Sequence, residues 1–458
     1  YNHFSPTSYH EYSSFLSTLS LPFIIALLFS KKNKKIKFFL SVFIITLLLA
    51  IENPLSKLIF SLPIPLLTYS STSRLLFITV LSSAVLVPLS FKKLNLLKFR
   101  HRLSKISLLL IFVTILSIFL ISPESRIIAL RNSILPISML IALIVLMKLR
   151  LKTNITIIIL LLLFSFDLGR YFRKYNPQVP AHLVFPTTPA IDFLQSQTGI
   201  FRVVRQRGPL LPPNTWSYYG LSSIEGYDPL RLLNYNRYFH LLENKPYLNK
   251  SSRYSELEDV NPKFLDASNI KYFIAIIKEE RPNRPVVEKL LDHGYHQVFQ
   301  DKTVEILENP HVLPRVYFVD TLIKVPAEKD LIGKIEDPSF DPRSVAVIIN
   351  PDQGELSLSR GEVKNIDYQP NTVTVDLELK NQGFIVLSDT FSPDWHAKLN
   401  NQDIKIHQTN GGVQGLFLPA GENQLVFKYL PDSFVLGLKI SLISLVILMI
   451  GLVYSRKL

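Results

Sequence analysis

Not one of the 458 residues is cysteine. Disulfide staples, thiolate metal sites and thiol nucleophiles are therefore excluded. A folded region of this size can rest on its apolar core alone, so the absence carries no structural cost. Charge is sparse too, at 19% of residues, where a soluble chain carries about a quarter. Phosphate-binding signatures are missing: there is no Gly-x-x-x-x-Gly-Lys-Ser/Thr loop, no dinucleotide fingerprint after a strand and no nucleophile elbow. That argues against an ATP-driven pump within this chain. The sequence opens on Tyr1 rather than Met, and no basic leader with a small-residue cleavage site precedes the first apolar run. We expect the chain to be the C-terminal part of something longer.

What is abundant is apolar sequence, 48% of the chain, and it is unevenly spread. Blocks fall at 13–30, 38–54, 74–90, 106–122, 133–147, 153–168 and 434–454, each near the length that crosses a ~30 Å hydrocarbon core. A further stretch, Leu55–Leu67, holds Pro63 and Pro65 and is too short to span. It reads as interfacial or re-entrant, which requires protein to pack on it.

The net charge of +14 would suit a nucleic-acid ligand, but its placement argues otherwise. Lys31, Lys32, Lys34, Lys35 and Lys37 form one cluster, and Lys92, Lys93, Lys98, Arg100, Arg102 and Lys105 a second. Lys148, Arg150 and Lys152 form a third, and Arg456 and Lys457 stand at the end. These hold about 16 positive charges with no Asp or Glu among them, so the remainder is slightly acidic. Seven spans threaded with the N-terminus outside put every cluster in the cytoplasm, as the positive-inside rule requires. The expectation is therefore a transmembrane domain of about six spans over 1–168 and an extracytoplasmic region over 169–433. A last span with a cytoplasmic tail follows over 434–458, and no nucleic acid is bound.

Within the outer region, 169–344 mixes helix and strand. Thr188–Gln197 and Val286–His293 read as helices, Phe201–Val204 and Lys271–Ile277 as strands. From Val345 to 433 the pattern becomes short alternating strands between Asn, Gly and Pro, which predicts an antiparallel β-sandwich. The fold class is thus a multi-span α-helical membrane domain plus an extracytoplasmic α+β domain ending in that sandwich.

Several segments resemble the YfhO family of bacterial membrane proteins. They include SYHEYSSFLSTLSLPFIIALL (8–28), SRLLFITVLSSAVL (73–86), TPAIDFLQSQTGIFRVV (188–204), EGYDPLRLLNYNRYFHLL (225–242) and ENPHVLPRVYFV (308–319). The most specific is VLSDTFSPDWHAKLNNQDIKI with LPAGENQLVFKYLPDSFVLGLKIS, within 386–441. There a Ser-Asp-Thr-x-x-Pro-x-Trp strand, a short hairpin and a Pro-Ala-Gly turn precede the final span. The resemblance implies a GT-C-like half-bundle and a polyprenyl-phosphate-sugar-dependent glycosyltransferase of the bacterial inner membrane. Such an enzyme decorates a cell-envelope glycopolymer on the outer face. It also implies that the catalytic acid lies in an N-terminal outer loop with no counterpart here, so the catalytic residue is unknown. No cofactor is certain, and a divalent cation stays open.

Four residues are the expected substrate-binding set. His10 and Glu11 precede the first block, where a lipid-phosphate sugar needs cations for its phosphate and a carboxylate for the acceptor hydroxyl. The competing reading is a solvated helix start. Arg74, at the outer end of a span, suits a forked contact to phosphate or simple snorkelling to headgroups. Trp395 could stack on an acceptor sugar, although strand tryptophans more often fill a core. Tyr227, Asp228, Arg231, Asp389 and Asp394 stand in the same family-like stretches. Asp167 and Arg170 read as a local pair, while Glu124, Arg126 and Arg131 read as an outer loop that could line a donor site. His293 and His296 lack a third ligand at helical spacing. The rival reading of the whole is a non-enzymatic scaffold or permease component with a glycan-binding outer domain.

Overall fold

The computed structural model describes residues 15–30, 33–62, 72–149, 151–176, 178–208, 210–228, 230–247, 253–277, 284–352 and 354–455. The chain divides into two units, Tyr1–Pro180 and Ala181–Leu458.

In the first unit the apolar blocks form α1 (Ser20–Leu28), α2 (Lys34–Ala50), α3 (Pro54–Phe60), α4 (Leu76–Phe91), α5 (Leu97–Leu120), α6 (Pro123–Lys148) and α7 (Thr153–Tyr175). Leu19, Phe23, Leu40, Leu86, Leu103, Leu143 and Leu160 meet in its core, while Phe77, Phe112, Phe119 and Ile127 are exposed. A bundle with so much apolar surface outside needs lipid around it. Helix α4 together with the turn before it (Ser73–Phe91), helices α5 to α7 and the terminal helix Asp432–Ser455 are long and apolar enough to cross a bilayer. Among the described residues that makes five crossings, or six if α2 and α3 are one broken span, not the expected seven.

The shortfall has two local causes. Over the expected span 13–30, only the nine residues of α1 are helical, about 14 Å at 1.5 Å per residue. Residues 15–19 stay irregular. There the Asp167 carboxylate accepts from the Ser17 hydroxyl at 2.9 Å and the Thr18 amide at 3.0 Å, and irregular backbone persists in an apolar bundle only with such partners. Asp167 thus bonds the first segment of the chain, not Arg170. At the second break, α3 leaves α2 at 82°. Asn53 caps α3 by accepting from the Leu55 and Ser56 amides, with Pro54 as its first residue. A residue before proline avoids the helical region, so the bend falls here. The expected re-entrant segment begins with α3; Pro63 and Pro65 lie outside the described residues.

The basic clusters also differ from plain loops. Lys98 to Lys105 lie on α5, and Glu124, Arg126 and Arg131 on α6, not in an outer loop. Arg100 is buried and donates to the carbonyls of Leu94 (2.6 Å), Leu149 (3.4 Å) and Leu151 (3.2 Å). Arg102 donates to the Phe29 carbonyl at 2.6 Å and the Ser30 hydroxyl at 3.0 Å. Two arginines therefore gather three basic turns at one end of the bundle.

The second unit has three main sheets. Strands β1 (Arg202–Arg205), β2 (Ser222–Ser223), β5 (Ile270–Ile276), β6 (His296–Gln300) and β7 (Val304–Glu308) form a mixed sheet, ordered β2-β1-β5-β7-β6. Strands β3 (Gly226–Tyr227) and β4 (Tyr254–Ser255) make a small ribbon beside it. Helices α8 (Pro189–Gln195), α9 (Leu233–Leu242), α10 (Pro262–Ala267) and α11 (Pro285–Asp292) accompany it, and the Thr188 hydroxyl caps α8.

The other two sheets form the sandwich. One runs β11-β9-β10-β17-β18-β14-β8 and the other β12-β13-β19-β15-β16. The first draws in β8 (Val316–Phe318) and β9 (Thr321–Val325), which precede residue 345, with α12 (Glu328–Ile335) between β9 and β10 (Val345–Ile349). β9 and β10 pair in parallel, so the sandwich is not wholly antiparallel and starts earlier than its alternation suggested. The remaining strands are β11 (Gly354–Ser357), β12 (Glu362–Gln369), β13 (Thr372–Leu379), β14 (Gly383–Thr390), β15 (Trp395–Leu399), β16 (Gln402–Ile404), β17 (His407–Thr409), β18 (Val413–Leu418) and β19 (Gly421–Tyr429). Asn400 and Asn401 both take positive φ in the two-residue turn between β15 and β16, as a twisted hairpin requires.

β14 explains the layering. Ile385 and Leu387 face the sandwich core with Val375, Leu416 and Phe427, while Phe384 and Val386 face the mixed-sheet side with Val204 and Phe273. A strand buried on both faces reads as an unbroken apolar run, here FIVL. β19 leads through Pro431 into α13 (Asp432–Ser455), whose window of span length is 0% buried.

Candidate functional site

Where β14 meets β18, the ladder slips between Leu387 and Thr390. Such an irregularity re-aims side chains that pairing would otherwise hold. Ser388 and Asp389 fall there, opposite Arg202 at the start of β1. Arg202 donates to Asp389 Oδ1 at 2.7 Å, to the Ser388 carbonyl at 2.7 Å and to the Ser268 carbonyl at 2.8 Å. The Tyr368 hydroxyl, on β12, donates to Asp389 Oδ2 at 2.7 Å. Arg315 lies 3.8 Å from Asp389 and 4.7 Å over the Tyr368 ring.

Burial, then the neighbouring Arg202 charge, lowers the Arg315 guanidinium to about 10. Burial, then Asp389, pushes the Tyr368 hydroxyl up to about 12. Two guanidiniums thus share one carboxylate in a dry place, and both Arg315 and Tyr368 keep their protons at neutral pH.

A cavity of about 270 Å³ opens beside this network, lined by Arg202, Ser223, Tyr235, Tyr238, Tyr368, Asp389, Thr390 and Trp395 among others. That lies near the small end of ligand sites, ~300–1,000 Å³. Trp395 is half-buried, opposite Tyr429 in the ladder, with ring centroids 5.3 Å apart. Aromatic faces, hydroxyls and a fixed carboxylate together suit a polyhydroxylated ring.

A second cleft of about 570 Å³ is lined by Arg207, His240, Glu243, Lys245, Glu256 and Glu258. Its carboxylates are matched by cations: Lys245 bonds Glu243 and Glu258 at 3.0 Å each, and Arg207 pairs with Glu258. Behind it, buried Arg205 pairs with Glu256 and lies 3.8 Å from Glu225. Burial pushes the Glu225 carboxyl up to about 8, against the pull of Arg205.

The expected site residues are scattered. His10 and Glu11 lie outside the described residues. Arg74 is exposed in the 3-10 turn Thr72–Leu75 that precedes α4, at the end away from the basic turns. Trp395 and Asp389 do reach a cavity. Asp394 is bonded by the Ser392 hydroxyl at 3.1 Å, away from that network. Arg231 ties β3 to β4 through the Gly226 and Arg253 carbonyls at 2.6 Å each, and Asp228 caps the Leu230 amide at 2.8 Å. Arg126 donates to the Phe119 and Ile121 carbonyls at the end of α5. His293 bonds Asp266 at 3.0 Å while His296 approaches Glu308 at 3.9 Å. Among the described residues no three His, Asp or Glu side chains converge as a metal site.

Arg202, Arg315 and Tyr368 are the additions of the structure. The signal for Arg202 was a charge at a strand position between apolar residues, in FRVVR; Arg315 and Tyr368 carry no such local mark.

Comparison with known proteins identifies one stretch. Residues 356–441 match the family model for the bacterial membrane protein YfhO. No curated protein and no solved structure matches the chain. The YfhO stretch runs from within β11 into α13 and contains Tyr368, Asp389 and Trp395. With its apolar helices, the chain is a multi-pass membrane protein carrying a YfhO region.

Proposed function

We propose that this chain is the C-terminal part of a membrane glycosyltransferase that moves a sugar from a polyprenyl-phosphate carrier to a cell-envelope glycopolymer. In that reaction the bond from the anomeric carbon to the carrier's phosphate oxygen breaks, and a bond to an acceptor hydroxyl oxygen forms. A base takes the hydroxyl proton and polyprenyl phosphate leaves. No residue of this chain is assigned as that base. The basic turns face the cytoplasm, and residues 169–433 lie outside. His10, Glu11 and Arg74 serve the donor at the outer surface, Arg74 by charge-assisted bonds to phosphate. The cavity beside Trp395 holds one ring of the acceptor.

The observation that carries this reading is the YfhO match over the segment that supplies Tyr368, Asp389 and Trp395 to the cavity. The test is reconstitution of the full-length protein with polyprenyl-phosphate-linked hexose and envelope polymer. Labelled sugar should appear on the polymer, Trp395→Ala should raise the acceptor KM about tenfold, a loss of ~1.4 kcal/mol, and Arg74→Ala should slow use of the donor. No transfer from any such donor would overturn the reading and favour a glycan-binding scaffold.

A further inference from the structure

The second unit carries its own apolar helix of span length, α13. Tyr429 ends β19 three residues before that helix begins, and its ring lies against Trp395. Trp395 lines one side of the 270 Å³ cavity, and Ile224 and Tyr235 line it as well. The chain from Ile224 to Tyr235 therefore leaves from, and returns to, a place beside the root of α13. In between it makes β3 and the connection to α9, which the cavity touches only at its two ends.

The tip of this excursion is apolar. Leu230 is 89% exposed, and Tyr227, Leu232, Leu233 and Tyr254 across the ribbon are exposed with it. Single leucines scatter over any protein surface, but a cluster of large apolar side chains marks a surface that meets something. The tip is also firmly built. Arg231 donates to the Gly226 and Arg253 carbonyls and to the Ser255 hydroxyl. Asn214 bonds both the amide and the carbonyl of Tyr227, at 3.1 and 2.8 Å. Several backbone groups are thus satisfied by protein, as contact with lipid requires. The acid of the tip, Asp228, accepts from the Leu230 amide. Tyrosines beside leucines, with Arg231 and Arg253 among them, have the composition of a segment at a bilayer surface. The bilayer that α13 enters is the partner at hand, and continuity with its root favours lipid over a second protein.

We infer that the tip formed by Tyr227, Leu230, Leu232, Leu233 and Tyr254 dips into the bilayer surface that α13 enters. It gives the folded region a second point of attachment. The inference needs no sugar ligand and stands whether or not the glycosyltransferase reading does.

Dansylalanine inserted at a recoded position marks that site alone in the full-length protein. Leu230→dansylalanine is compared with Glu422→dansylalanine at the far end of β19, ~23 Å along the strand from Tyr429. Single copies are placed in phosphatidylcholine nanodiscs, with or without lipid spin-labelled high on the acyl chain. Spin-labelled lipid should quench the Leu230 label about twofold, since a side chain ~5–10 Å deep meets the spin label. The Glu422 label should be unaffected. With the label at Leu233, adding Leu230→Ser and Leu232→Ser should remove most of the quenching; both side chains are exposed, so the fold tolerates the change. Equal quenching at Leu230 and Glu422 would overturn the inference. Blue-shifted but unquenched emission at Leu230 would overturn it too, because the tip would then lie against protein.

Discussion

Asp389→Ala is the most informative single change in the second unit. The Arg202–Asp389 pair is 11% and 10% exposed at 2.7 Å, and Arg315 stands 3.8 Å from the same carboxylate. Alanine would leave two buried guanidiniums beside each other with no anion, and would strip the Tyr368 hydroxyl of its acceptor. Breaking a buried pair from one side costs about 3–5 kcal/mol. For a region of roughly 250 residues, each kcal/mol lowers Tm by about 2–4 °C, so the expected drop is ~6–20 °C.

Because this chain's two tryptophans, Trp216 and Trp395, both lie in the second unit, their emission follows its melting within the intact chain. The partner variant Arg202→Met also leaves the Ser268 and Ser388 carbonyls without their donor, so it should cost at least as much. The double variant should cost less than the two singles added, because each single already strands the other's charge. A drop below about 2 °C for Asp389→Ala, or strict additivity, would refute the view that this pair locks the mixed-sheet layer to the sandwich.

Three further outcomes are expected. Glu225 has a folded value of about 8 against an ordinary 4.5. Its burial is therefore harmless below the ordinary value, and stability falls as pH rises toward 8, because the unfolded chain releases the proton first. Melting of the second unit followed by tryptophan should show that fall, and Glu225→Gln should flatten it. Arg100→Lys keeps the charge but cannot reach the Leu94, Leu149 and Leu151 carbonyls together. A lower melting temperature of the solubilised bundle is expected, whereas a purely topological charge would leave it unchanged. This chain has no cysteine of its own, so an impermeant maleimide applied to cells that express it should label Ser122→Cys and spare Asn95→Cys; the opposite pattern would invert the proposed orientation.

The terminal helix, four of the long bundle helices and most strands were legible because their apolar periods are local. The Lys271–Ile277 run ends within a residue of the strand it predicts, Ile270–Ile276. Local periodicity failed where a distant residue decides the outcome. The block at 13–30 is apolar enough to span, yet Asp167 bonds Ser17 from 150 positions away and satisfies an irregular stretch. The acid was visible, but its nearest charge in sequence, Arg170, suggested the wrong partner. Likewise Arg202 and Asp389 are 187 positions apart, and no spacing rule links them.

Both cases do leave a trace: an ionisable residue inside a run that should hold none. In FRVVR, in FIVLSD and in the span through Asp167, a strand or helix that tolerates a buried charge must receive its compensation from elsewhere in the fold. Such a charge marks the position where the local pattern stops deciding the structure. In this chain two such charges, Arg202 and Asp389, line the cavity where we look for a sugar. The basic turns show the converse. Their charges lie where the topology rule expects them, yet Arg100 and Arg102 are also bound to carbonyls, so a residue can set orientation and packing at once. The maleimide and melting experiments separate those two roles, since Arg100→Lys should alter the second and spare the first.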